Sequence, residues 1–186
     1  MTLTLCPDVA AAGWIVRSDL PWHRLVGFGP AGFDAYARLR LLPDPERLGQ
    51  SENDVQAEDW RMAQLPRLFT ILAAHTTTAD RCYVCVWDGW GPDARPAPKV
   101  VIPHREYWLF QGPLTGLGTA GSARAGLEDE QPAFVWPADH AWCFAHDVDP
   151  HWAGIGGPAQ LIDRLITDPE LDAVRADPAE QQPFYR

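Results

Sequence analysis

The hydrophobic pattern changes period along the chain, and each change marks an element. Between residues 33 and 41, Phe33, Ala35, Ala37, Leu39 and Leu41 alternate with Asp34, Tyr36, Arg38 and Arg40, which predicts a strand with one polar face, a helix being the alternative. The short segment WHRLVGF before it, 22–28, is bounded by proline and glycine, and the N-terminal third is read as strands. From Leu65 the period becomes helical: Leu65, Leu68, Phe69, Leu72 and Ala73 predict a helix over 65–74, with Pro66 tolerated in its first turn. The runs CYVCVW, KVVIP, EYWLFQG, AFVWP and AWCFAHDVD then read as strands separated by Gly and Pro turns. In GPAQLIDRLITDPELDAV, Leu161, Ile162, Leu165 and Ile166 share one side of a terminal helix, and the tail ADPAEQQPFYR is too polar to pack on its own.

Two segments lack core-forming residues. PDPERLGQSENDVQAED, within 43–59, carries six acidic residues against one arginine and reads as a solvated loop or insertion. The Gly-rich stretch over 114–131 reads as a long loop. Strands, a helix, a run of strands and a helix, in that order, make a segregated pattern. It predicts a single α+β domain over 1–186: a mainly antiparallel sheet, one central helix packed on a face, and a C-terminal helix.

Composition narrows the function classes. A formal net charge of −10 with a single lysine, Lys99, argues against nucleic-acid binding and suits a protein partner with a basic surface. No apolar run approaches the roughly 20 residues of a membrane span, and the N-terminus has no secretory pattern, so a cytoplasmic location is expected. Four cysteines do not make a disulfide framework. The nine tryptophans are the unusual feature, because large rigid rings beside turns can line a pocket or an interface.

Several motifs carry candidate chemistry. Cys82, Cys85, Cys143 and His146 spell C-x-x-C with C-x-x-H, a zinc pattern. Both pairs fall in strand-forming runs, where residues three apart point to opposite faces, so no metal is expected there. GLGTAG, 116–121, fits G-x-G-x-x-G but has no helix on whose end a pyrophosphate would sit, so no cofactor is expected. His146, Asp149 and His151 are a conceivable metal or acid–base group at a strand end. Asp88-Gly89 should turn the chain, with Trp87 largely in the core and Trp90 at a rim. His104, Arg105 and Asp139 are placed around that rim, and together with Trp90 and His140 they form the expected binding set.

The segments FDAYARL, HTTTADRCYVCVWDGWG, PHREYWLFQGPL, WPADHAWCFAHDVD and GIGG resemble a widespread family of actinobacterial proteins of unassigned function. The likeness covers roughly 33–173. It rests on the Trp-Asp-Gly-Trp turn at 87–90, the pair His104 and Arg105, and the Trp-Pro-x-Asp segment at 136–139; members often lack histidine where this chain has His146 and His151. The resemblance implies no activity. Its architecture is also similar to small bacterial proteins of the toxin-immunity kind, which work by binding. The expectation is therefore a non-catalytic binding module, immunity-like or regulatory. A hydrolase-like enzyme using His104, Arg105, Asp139, His140 or His146 is the alternative.

Overall fold

The computed structural model describes residues 3–55, 60–90, 95–115, 117 and 131–186, and the side chains of all of these except 60–62 and 90. Its centre is one nine-stranded sheet in which every pairing is antiparallel. The strands are β1 (Thr4–Leu5), β2 (Ala35–Arg40), β3 (Cys82–Trp87), β4 (Lys99–Ile102), β5 (Arg105–Gly112), β6 (Pro132–Pro137), β7 (Cys143–Ala145), β8 (Trp152–Gly157) and β9 (Ala173–Ala176). They lie in the order β1-β5-β3-β6-β7-β8-β2-β9, with β4 paired to β5. The helices are α1 (Gly13–Val16), α2 (Trp22–Phe28), α3 (Trp60–Ala73) and α4 (Ala159–Ile166). The architecture is the predicted single α+β domain.

Both faces of the sheet are covered, which is why its strands read as nearly continuous apolar runs. The first face carries Ala37, Leu39, Val84, Val86, Trp108, Phe110, Phe144 and Ile155, and meets Leu65, Leu68, Phe69 and Leu72 of α3 with Leu161, Ile162 and Leu165 of α4. Trp142 seals this layer by donating its indole N–H to the Leu72 carbonyl at 2.9 Å, satisfying an acceptor near the C-terminal end of α3. The second face carries Cys85, Tyr107, Leu109, Phe134, Trp136, Cys143 and Ala145, and is covered by the N-terminal segment through Ala12, Ile15, Leu25 and Val26.

Three local readings need correction and a fourth holds. WHRLVGF is the helix α2, not a strand: Pro21 stands at its N-cap, and Leu25, Val26 and Phe28 are buried on one side of it. The central helix begins at Trp60, so Pro66 lies inside it and not in a first turn. The terminal helix stops at Ile166; beyond it, Pro169 cannot donate to a helix, and Ala173–Ala176 pairs as β9 along β2. The alternation over 33–41 is the strand β2 as expected, and its polar side is partly covered: Arg38 is buried beneath Trp152, whereas Tyr36 and Arg40 are half-buried and Asp34 is exposed.

The acidic segment is described as far as residue 55, and its residues 56–59 lie outside the described residues. What is described is tied down. Asp44 takes both guanidinium nitrogens of Arg38, and a capping box at Ser51 and Asp54 closes a short 3-10 turn. The Gly-rich stretch over 114–131, including most of GLGTAG, lies almost wholly outside the described residues.

Candidate functional site

The expected binding residues fall at two opposite ends of the sheet. β5 and β6 are both antiparallel to β3, so the start of β5 lies beside Trp87 whereas the end of β6 lies beside Cys82. His104 and Arg105 are therefore separated from Asp139 and His140 by the length of β3, about 17 Å for five residues at 3.3–3.4 Å each. The rim that was to hold His104, Arg105 and Asp139 together does not form, and the Trp90 side chain lies outside the described residues.

At the Arg105 end the guanidinium is fully engaged. It donates to both carboxylate oxygens of Asp147 at 3.0 and 2.8 Å, reaches Asp149 at 3.4 Å, and lies 5.5 Å from the ring centroids of both Trp22 and Trp87. Trp87 is partly buried and not fully enclosed: it packs against the second core layer and against the Arg105 guanidinium. The Asp88-Gly89 turn is present as a short 3-10 turn, and glycine is required there by proximity: a Cβ at Gly89 would collide with the Trp87 indole.

At the other end, Asp139 is a structural tie. Its carboxylate accepts from the Thr76 hydroxyl at 2.8 Å, from the Thr77 amide and hydroxyl at 2.8 and 2.9 Å, and from the Ala141 amide at 3.2 Å. Partial burial would raise its pKa, but these hydrogen bonds outweigh burial and hold it at about 2. The threonine run after α3 is thus bonded to the turn after β6.

His104 and His140 have one property in common. Among the described residues they are the only non-glycine residues with positive φ, at 66° and 54°. His104 follows Pro103 in the two-residue turn between β4 and β5, at the place where a type II turn favours glycine. Each of these histidines meets a tryptophan of the N-terminal segment: Trp22 edge-on to His104 at 5.2 Å, and Trp14 stacked on His140 at 4.2 Å. The two turns clip that segment onto the second face at its two ends.

The cysteines divide between the faces as the strand argument requires. Cys82 belongs to the first core layer, and Cys6, Cys85 and Cys143 to the second. Burial pushes the Cys6 thiol up to about 11 and Cys82 to about 12, and raises Cys85 and Cys143 as well. His146, Asp149 and His151 do not form a group. Burial lowers His146 to about 4, Asp149 points to Arg105, and the His151 Nε2 lies 3.0 Å from Asp44.

An open groove among the described residues gathers Asp149 and His151 with residues that the sequence pattern did not single out. It has a volume of about 630 Å³ and lies between the 51–53 turn, the 148–152 segment and residues 182–186. Trp152 and Tyr185 supply aromatic surface, the exposed Phe184 and Val148 add apolar area, and Glu52 and Asp149 add negative charge. A second cavity of about 350 Å³ continues along His23, Arg24 and Phe28 and shares Trp152 and Gln182 with the first. Residues 177–186 run over Trp152 between the two spaces as a strap, and none of them is buried. Contrary to the expectation for a polar tail, the strap is docked. Arg24 donates to the Ala179 carbonyl at 3.0 Å, Trp152 Nε1 to the Pro183 carbonyl at 3.4 Å, the Tyr185 hydroxyl to the Pro43 carbonyl at 2.6 Å, and the Arg186 amide to the Gln50 carbonyl at 3.0 Å.

Beneath the groove, burial alone would raise the Asp44 carboxyl; hydrogen bonds from Arg38 and His151, with the charges of Arg38 and Arg40, hold it at about 2 instead. Burial lowers His151 despite its bond to Asp44. The signals for this site were the buried-strand arginine Arg38, the His151-Trp152 pair after Pro150, and the aromatic pair in the tail.

Among the described residues no three His, Cys, Asp or Glu side chains are grouped to hold a metal, and no helix is long and apolar enough to cross a membrane. No family model, no curated protein and no solved structure matches the chain.

Proposed function

We propose that the protein is a non-catalytic binding module, cytoplasmic and of immunity-like or regulatory kind, that holds a protein partner with a basic surface. The observation that carries this reading is the 630 Å³ groove, where Val148, His151 and Trp152 adjoin Glu52 and Asp149, and Phe184, Tyr185 and Arg186 of the C-terminal strap form the opposite, displaceable wall. Apolar area supplies affinity in such a groove, and the acids, added to a net charge of −10, steer a basic partner toward it. The strand-end residues support binding over catalysis, since Arg105 and Asp139 are each saturated by bonds inside the fold.

Reversing the charge of the groove tests the reading. Immobilised wild-type protein should retain a basic protein from a lysate of its host and release it at about 0.5 M salt, where screening is nearly complete beyond a few Å. The Glu52→Lys, Asp149→Lys double variant should retain none of it. Equal retention by the two proteins would refute the assignment of the groove.

One observation favours the second reading, a hydrolase-like enzyme: His151 and Asp44 form a histidine–carboxylate pair 3.0 Å apart, and Ser51 lines the same groove. The Ser51 hydroxyl, however, accepts from the Asn53 amide as a cap, and Asp44 is shared with Arg38. Turnover of an ester or amide substrate that is lost in His151→Gln but kept in Glu52→Lys, Asp149→Lys would favour the enzyme.

A further inference from the structure

The strap shows what kind of segment the groove accepts. Of the four bonds to the body given above, three use the strap's own backbone: the carbonyls of Ala179 and Pro183 accept, and the amide of Arg186 donates. The bonds at Pro183 and Arg186 are open to any extended chain of suitable length, so they recognise a backbone more than a sequence, whereas Ala179 accepts from within the 177–180 turn. Side chains add the selectivity. The Tyr185 ring stands edge-on to His151 at 4.8 Å and places its hydroxyl on Pro43, while Arg186 lies against Gly49 beside the acidic turn. Asp177–Glu180 closes a turn, the Glu180 amide donating to the Asp177 carbonyl with Pro178 inside it, and Pro183 fixes its own φ and biases Gln182 toward extended backbone; both lower the entropy lost on docking.

The strap nevertheless fits loosely. No residue of 177–186 is buried, none pairs in the sheet, and spaces of about 630 and 350 Å³ remain on either side of it over Trp152. An indole N–H donating to a peptide carbonyl next to a proline, on an aromatic floor, is the chemistry by which extended proline-containing segments are held.

We propose that the cleft over Trp152 is a peptide-binding groove for an extended partner segment carrying a proline, an aromatic pair and a following basic residue, and that residues 177–186 occupy it in cis as a displaceable competitor. The inference rests on the reading of the groove as a binding site and specifies what part of the partner enters it. A tethered segment competes at an effective concentration of about millimolar, so the wild-type chain masks its own site, and its apparent affinity falls by the fraction of time the strap is away.

The test uses the full chain and a fluorescein-labelled decapeptide, DPAEQQPFYR, followed by anisotropy. Tyr185→Ala loosens the strap without touching the groove floor, and should bind the peptide about tenfold more tightly than wild type, the loss of one good hydrogen bond and a ring contact. Adding Trp152→Phe or Arg24→Gln to Tyr185→Ala should reverse that gain. Arg24 is a surface donor whose loss leaves the core intact, so the result stands even if the Trp152 variant folds poorly. The proposal is overturned if Tyr185→Ala binds no more tightly than wild type, if neither groove variant reverses the gain, or if a scrambled decapeptide binds equally well. Should these fail while the charge-reversed groove still releases the basic partner, only the peptide mode falls; failure of both removes the groove as a binding site.

Discussion

The face of the sheet under α3 and α4 and the face under the N-terminal segment bury different chemistry. The first is largely aliphatic and its buried polar groups are paired: Trp142 donates to Leu72, and the buried Asp168 carboxylate takes Arg67 at 2.7 Å and Arg164 at 2.9 Å. The second is aromatic and sulfur-rich. There Trp14 stacks on His140 and meets Trp136 and Phe33, Tyr83 stacks on Trp136, and the indole N–H groups of Trp14 and Trp136 have no hydrogen-bond partner among the described residues. The cover also differs: a 14-residue helix on the first face, helices of 4 and 7 residues on the second. Helices that short are stable only through their contacts. The second face, with its two left-handed histidines and its loosely seated strap, is where the molecule has room to rearrange.

The largest test of this contrast is a matched pair of cavities. Leu68→Ala under α3 should cost about 4–5 kcal/mol and Leu25→Ala under α2 about 2–3, because a thin cover collapses into the space more readily. Urea denaturation of both variants measures it, and equal losses would break the contrast. Next is acid. Asp44 is bound more weakly by protons in the folded state than in the unfolded chain, so its contribution is complete above about pH 4 and is lost as pH falls toward 2. Wild type should lose about 1–2 kcal/mol over that window from this group, and Asp44→Asn should flatten that part of the profile. A smaller effect separates two fully buried indoles. Trp142→Phe should cost about 1 kcal/mol more than Trp136→Phe, since only the former leaves a carbonyl without its donor. The smallest belongs to His104→Gly. Relief of φ 66° and loss of the edge contact with Trp22 oppose each other, and stability should stay within about 0.5 kcal/mol of wild type.

What the sequence made legible follows the length and periodicity of its segments. The 65–74 helix, the CYVCVW strand and the antiparallel sheet were readable because their patterns persist over several residues, and the split of Cys82 from Cys85 follows from the pleat alone. α2 has seven residues, too few for a period of 3.6 to declare itself against a strand. β9 was hidden because Ala173, seven residues after Ile166, continues the helical spacing of α4 past Pro169. The site failed for a topological reason. That His104, Arg105, Asp139 and His140 all lie at strand ends was correct, but which ends meet depends on strand order. β5 and β6 flank β3 on opposite sides and run the same way, a relation no local pattern records. The groove was missed because its walls come from residues near 51, 150 and 184, and only the folded sheet brings them together.

The strand order also has a consequence for how the chain is made. β2 has only β8 and β9 as neighbours, and both follow it by more than a hundred residues. On a ribosome adding about 5–20 residues per second, β2 waits several seconds with both edges unpaired before any partner emerges. Closing so long a loop is slow even after synthesis, with non-local sheets folding in about milliseconds to seconds. During that interval Ala35, Ala37 and Leu39 have no layer to enter, whereas β3, β5 and β6 can assemble among themselves. The charges of Arg38 and Arg40, which the finished fold turns into ion pairs with Asp44 and Asp172, alternate with the apolar positions and disfavour pairing of the waiting strand with another nascent chain.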